Sequence, residues 1–137
     1  MNYWLIKSEP NTYSWDDLVK KGRDHWDGVR NFKARNNIKA MKVGDQCLFY
    51  HSVNEKSVIG IAEVVKEYYK DPTTDDHRWY VMDVVPVRKL NRPVTLAEVK
   101  ADERLEKMVL VTHSRLSVQP VRPEEFDIII EMSERPN

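Results

Sequence analysis

Apolar and polar positions alternate along this chain in short runs, each closed by turn or capping residues. Tyr3-Trp4-Leu5-Ile6 is aromatic and β-branched enough for a strand, and Lys7-Ser8-Glu9-Pro10 closes it, because proline cannot donate to a ladder. Ser14 stands three residues before Asp17, the spacing of a capping box, and Trp15, Leu18 and Val19 supply an apolar face. That pattern predicts a helix over 15–21. Asn31 is placed to cap a second helix carrying Phe32, Ile38 and Met41 at roughly helical spacing. After the turn at Val43-Gly44-Asp45, strands are predicted over 46–51, 58–65 and 79–87, with a polar loop over 70–77. Thr95 and Glu98 repeat the capping-box spacing ahead of a short helix over 96–100, followed by a turn up to Met108. Val109-Leu110-Val111 and Leu116-Ser117-Val118 read as short strands, and Pro123 fits the first turn of a closing helix through Phe126 and Ile130.

Consecutive strands with no helix between them pair most economically as hairpins, which predicts an antiparallel or mixed sheet. Five or six short strands with peripheral helices then close most simply into a small barrel, an α+β architecture. A length of 137 residues predicts one domain over 1–137. The N-terminus has no basic region ahead of its four-residue apolar run, and no later run approaches a membrane span. With Cys47 the only cysteine, an internal disulfide is excluded and a reducing compartment is expected: the cytoplasm, or the nucleus in a eukaryote. Cys47 itself reads as a small core hydrophobe.

Charge changes the picture locally rather than globally. The 22 Lys and Arg balance the 22 Asp and Glu, so generic adhesion to polyanions is not expected. Between Lys20 and Lys42, however, eight cations (Lys20, Lys21, Arg23, Arg30, Lys33, Arg35, Lys39, Lys42) face only Asp24 and Asp27. Such clustering suits a phosphate-facing patch, for which Lys33, Arg35 and Lys39 are the candidates, and it equally suits a solvated helix face.

Catalytic and cofactor motifs are lacking. His25, His51, His77 and His113 show no metal-ligand spacing, and Cys47 and His51 would lie about 13 Å apart on one strand face, too far for a dyad. Ser114 sits in no nucleophile elbow, the acid pairs Asp16-Asp17 and Asp75-Asp76 fall at a helix start and in a loop, and none of the four glycines forms a phosphate-binding loop. No cofactor, metal or membrane is expected, and the chain is expected to be monomeric.

What remains is Trp26-Asp27-Gly28-Val29-Arg30-Asn31. A tryptophan beside a glycine turn can offer its ring to a flat ligand, and Arg30 and Asn31 match planar polar edges. The plainer reading makes Trp26 a core plug, Gly28 a turn and Asn31 a helix cap. Ser8, Tyr50, His51, Arg115 and Ser117 lie at other strand ends and turns, where a closed barrel would bring all of them into one pocket with Trp26, Arg30 and Asn31. Each also has a structural use, in satisfying backbone groups, packing or pairing with an acid.

Tyr3-Trp4-Leu5 with Lys7-Ser8-Glu9-Pro10, the Trp26–Asn31 hexapeptide, Gly44-Asp45, Phe49-Tyr50-His51-Ser52, Gly60-Ile61-Ala62 and Arg115-Leu116-Ser117-Val118-Gln119-Pro120 together resemble the EVE domain family over almost the whole chain. The resemblance implies a PUA-like fold, a small mixed β-barrel of about five to six strands with flanking short helices, related to the YTH and ASCH domains. It also implies a non-catalytic reader of a modified nucleobase, such as methylated or hydroxymethylated cytosine or N6-methyladenine, in DNA or RNA. The expected partner is thus a nucleic acid carrying such a base, and the ligand-binding residues implied are Ser8, Trp26, Arg30, Asn31, Tyr50, His51, Arg115 and Ser117. Two alternatives stand beside it: an enzyme acting on a small nucleotide or modified base with His51 as general base, and an interaction module whose basic helix docks an acidic partner.

Overall fold

A computed structural model describes residues 1–135. In chain order the elements are β1 (Tyr3–Ser8), α1 (Trp15–Lys21), β2 (Asp24–His25), α2 (Phe32–Ala40), β3 (Gln46–His51), β4 (Ser57–Lys70) and β5 (Tyr80–Thr95). There follow α3 (Leu96–Ala101), a 3-10 turn at Glu103–Leu105, α4 (Val109–Thr112), β6 (Val118–Val121) and α5 (Pro123–Glu134). The strands form one mixed sheet in the order β2-β5-β4-β3-β1-β6. β1 runs parallel to β3, and every other pairing is antiparallel.

Period-two alternation buries both faces of the sheet. Trp4, Ile6, Cys47 and Phe49 face one core with Trp15 and Leu18 of α1 and Ala34 and Ile38 of α2. Leu5, Leu48 and Tyr50 face the other with Val99 of α3, Leu110 of α4 and Phe126, Ile129 and Met132 of α5. The ladder leaves β2 and β6 as its edges, so hydrogen bonding does not close the sheet. α2 instead packs against β6 on one side and β4 and β5 on the other, and this helix completes a barrel-like body.

The capping signals landed where the spacing put them. Ser14 accepts from the Asp17 N–H and Asp17 from the Ser14 N–H, Thr95 and Glu98 do the same, and Asn31 Oδ1 accepts from the Ala34 N–H at 3.0 Å. Several expected strand bounds need correction. Val109–Thr112 is helical rather than a strand, with Thr112 and His113 donating to the Met108 and Val109 carbonyls. A three-residue apolar run with two valines carries too little information to outweigh its packing, which turns Leu110 inward. The last strand lies over Val118–Val121, two residues beyond its expected start. β4 and β5 are 14 and 16 residues long, far beyond their apolar centres, because a hairpin extends over solvent with polar residues such as Lys66 and Glu67. Two-residue β2, Asp24–His25, has no periodicity to read.

Candidate nucleobase pocket

β1 ends beside the loop that leads into α1, and β2 delivers Trp26 back against the same place. The Trp26 N–H donates to the Met82 carbonyl at 2.9 Å, continuing the β2–β5 pairing by one residue. Gly28 then turns the chain away with φ 76°, a left-handed conformation that glycine adopts without strain. Between these segments lies a cavity of about 320 Å³ lined by Lys7, Ser8, Glu9, Thr12, Tyr13 and the run Asp24–Gly28. That volume lies at the small end of the roughly 300–1,000 Å³ typical of ligand sites.

Two walls of the cavity are aromatic. The Trp26 ring is only 7% exposed, and it meets Phe49 edge-on at 5.4 Å and Tyr13 edge-on at 6.2 Å. Trp26 is therefore both a core plug and a cavity wall. The Ser8 hydroxyl donates to the Tyr13 carbonyl and ties the loop to the strand end. Burial, and then the neighbouring Asp24 carboxylate, pushes the Tyr13 hydroxyl well above its ordinary pKa. That hydroxyl lies in the field of Asp24 without being aligned into a hydrogen bond.

The cavity's charge is acidic: Glu9, Asp24 and Asp27 stand against Lys7 and His25. Burial opposes ionisation of Asp24, but the Tyr13 hydroxyl, the Lys21 ammonium at 3.2 Å and the His25 N–H together hold its carboxyl below the usual range. Asp27 is half exposed, with the His25 Nε2 3.7 Å from its carboxylate. Carboxylates in this position repel phosphate and accept hydrogen bonds from an amino group.

Residues 2–132 match the EVE domain family. The chain belongs to that family. Mouse thymocyte nuclear protein 1 is 37% identical to it, the match covering 97% of this chain and 74% of the relative. A crystal structure of human THYN1 protein in complex with 5-methylcytosine containing DNA superposes with a TM-score of 0.93 at 35% identity, covering 100% of each chain. The YTH domain of the Zygosaccharomyces rouxii MRB1 protein, in complex with N6-methyladenosine RNA, superposes at a TM-score of 0.60 over 99% of this chain and 86% of its own. At 19% identity that second likeness concerns the fold alone.

Of the eight ligand-binding candidates, only Ser8 and Trp26 line this EVE domain's cavity. Asn31 and Arg115 line a neighbouring groove of about 330 Å³ with Lys33, His113, Ser114 and Leu116. Lys7 divides the two concavities: its backbone N–H donates to the Ser117 carbonyl, and its ammonium, whose pKa burial lowers, donates to the Ser114 carbonyl. Arg30 turns elsewhere, toward Asp71 at 3.1 Å and the face of Trp79 at 5.5 Å. Tyr50 is buried on the opposite face of the sheet, where desolvation pushes its hydroxyl up to about 12. His51 is also buried, and its Nε2 accepts from the Trp15 N–H at 3.0 Å. The lone pair a general base would need is thus committed to the start of α1.

Tyr13, Glu9, Asp24 and Asp27 line the cavity without being singled out by the sequence pattern. Asp27 lay inside the hexapeptide and Glu9 inside the β1 exit motif, so adjacency to Trp26 and Ser8 was the available signal. Asp24 depends on the two-residue β2, which has no periodicity, and Tyr13 on the loop between β1 and α1. Cys47 is fully buried, and burial followed by the Asp45 carboxylate raises its thiol pKa, which keeps it an unreactive core residue.

Proposed function

We propose that this EVE domain is a non-catalytic reader of a modified nucleobase, binding the extruded base in the cavity between Trp26, Tyr13 and the Asp24–Gly28 turn. The observation that carries the reading is the pairing of aromatic walls with carboxylates in a cavity of base-compatible size. Stacking on an aromatic supplies about 1–3 kcal/mol per base, and Asp or Glu accepts from the exocyclic amine of cytosine. A phosphate suits this cavity poorly. The adjoining groove, with Lys33 and Arg115, suits the backbone instead. The whole-chain similarity to human THYN1 protein, solved with 5-methylcytosine containing DNA, supports the same reading. The commitment of His51 to the α1 N–H favours binding over the enzymatic alternative.

Asp27→Ala tests it. Asp27 is 49% exposed, so the variant folds with an unchanged melting temperature. Loss of one hydrogen bond to a charged group, about 1.5–3 kcal/mol, weakens binding of 5-methyl-2′-deoxycytidine by about tenfold or more in a calorimetric titration. Unchanged affinity in both Asp27→Ala and Glu9→Ala would remove these two carboxylates from the reading.

A further inference from the structure

Four residues past Gly28, at the cavity's rim, begins a face of α2 that carries Phe32, Arg35 and Lys39 at positions i, i+3 and i+7, a single stripe along the helix. Phe32 is apolar yet 50% exposed, and its ring stacks on Trp79 at 5.1 Å and 23°. The Arg35 guanidinium lies 4.9 Å over the Phe32 ring. The Lys39 ammonium sits between two tyrosines of the β4–β5 hairpin, 5.6 Å from Tyr68 and 5.3 Å from Tyr80, and Tyr68 is itself 44% exposed.

A surface meant only for solvent has no use for half-exposed Phe32 and Tyr68, and an apolar protein interface has no use for cations placed over their rings. Aromatic rings interleaved with cations are instead the surface that single-stranded nucleic acid takes: bases stack on the rings while Lys and Arg meet the phosphates. The Arg35 guanidinium donates only to neutral acceptors, Asn36 Oδ1 and the Arg78 carbonyl, so its charge is not neutralised there, and Lys39 meets the two tyrosine rings. Phe32 follows Gly28 by four residues, at most about 14 Å of extended chain, so one strand can reach both places.

We infer that the α2 stripe and the β4–β5 hairpin form a second, sequence-tolerant binding surface for the single-stranded nucleotides flanking the base held in the cavity. This rests on the reader reading for its biological sense, but its test is separate. Wild type, Phe32→Ala and Lys39→Ala are titrated with 5-methyl-2′-deoxycytidine, with a nine-nucleotide single strand carrying one central 5-methylcytosine, and with the same strand unmodified.

The expected result is that Phe32→Ala weakens both nonamers about tenfold and leaves the nucleoside unaffected. Lys39→Ala lowers the slope of log K against log salt by roughly 0.7, the value for one phosphate contact on a single strand. Both side chains are peripheral, and circular dichroism melts check that each variant stays folded. Nonamer affinities unchanged in both variants, or no stronger than the nucleoside's, overturn the surface while leaving the cavity reading intact. If modified and unmodified nonamers bind alike but still depend on Phe32, the surface stands and the base reader falls.

Discussion

Gly60 shows how a single hydrogen atom organises this fold. A Cβ built there would lie 2.7–2.8 Å from three atoms of the Trp15 indole, which cannot retreat because it is buried and packs on Phe49 at 5.4 Å. The Trp15 N–H is meanwhile held by His51 Nε2. Gly60→Ala is therefore expected to cost about 1–3 kcal/mol of stability, measured by urea unfolding, through overpacking rather than backbone strain. A melting curve equal to wild type would show that Trp15 has room to move. Asp45 plays a comparable structural part, accepting from Trp4 Nε1, the Lys42 N–H and the Asn2 N–H, each at 3.0 Å. Burial works against its ionised form, yet these donors keep its carboxyl below the usual range. His51 and the Gly44-Asp45 pair, both prominent in the sequence, thus serve the scaffold that holds the cavity.

At the level of elements, capping chemistry was the most legible part of the sequence. Ser14, Asn31 and Thr95 each declare a helix start through a local hydrogen bond that depends on nothing distant. α4 was not legible, because Val109-Leu110-Val111 has strand propensity and only tertiary packing makes it helical. The α3 cap also gives the fold a pH dependence. The Arg92 guanidinium, donating to both Glu98 oxygens at 2.9 and 2.7 Å, leads the interactions that hold this carboxyl at about 2. A folded pKa below the unfolded value contributes stability above about pH 4.5 that fades as pH falls toward 2. Glu98→Gln should accordingly melt below wild type at pH 7, with the gap closing through that acid window. A gap that persisted undiminished at pH 2 would assign the effect to packing of the side chain instead.

Across the whole molecule, neutrality conceals segregation. Acidic groups line the cavity, Lys33 and Arg115 line the groove beside it, and Arg35 and Lys39 ride on exposed aromatics along α2. The basic segment of the sequence announced part of this layout. It could not announce that Arg30 turns to Asp71, or that Tyr50 faces the opposite core, since both depend on which way a strand or turn is rotated. The fold was legible because hydrophobic period and caps are local signals. The site was only half legible because a pocket assembles residues such as Ser8, Tyr13, Asp24 and Trp26 from separate elements.

Selectivity for a modified base is decided by a calorimetric titration at fixed salt. Matched single strands carrying cytosine, 5-methylcytosine, 5-hydroxymethylcytosine, adenine or N6-methyladenine would be compared as DNA and as RNA. One added methyl group in an apolar contact is worth about 1–3 kcal/mol, so one modified base should bind about fivefold or more tightly than its unmodified parent. Equal affinity for all members of the set would contradict the reader.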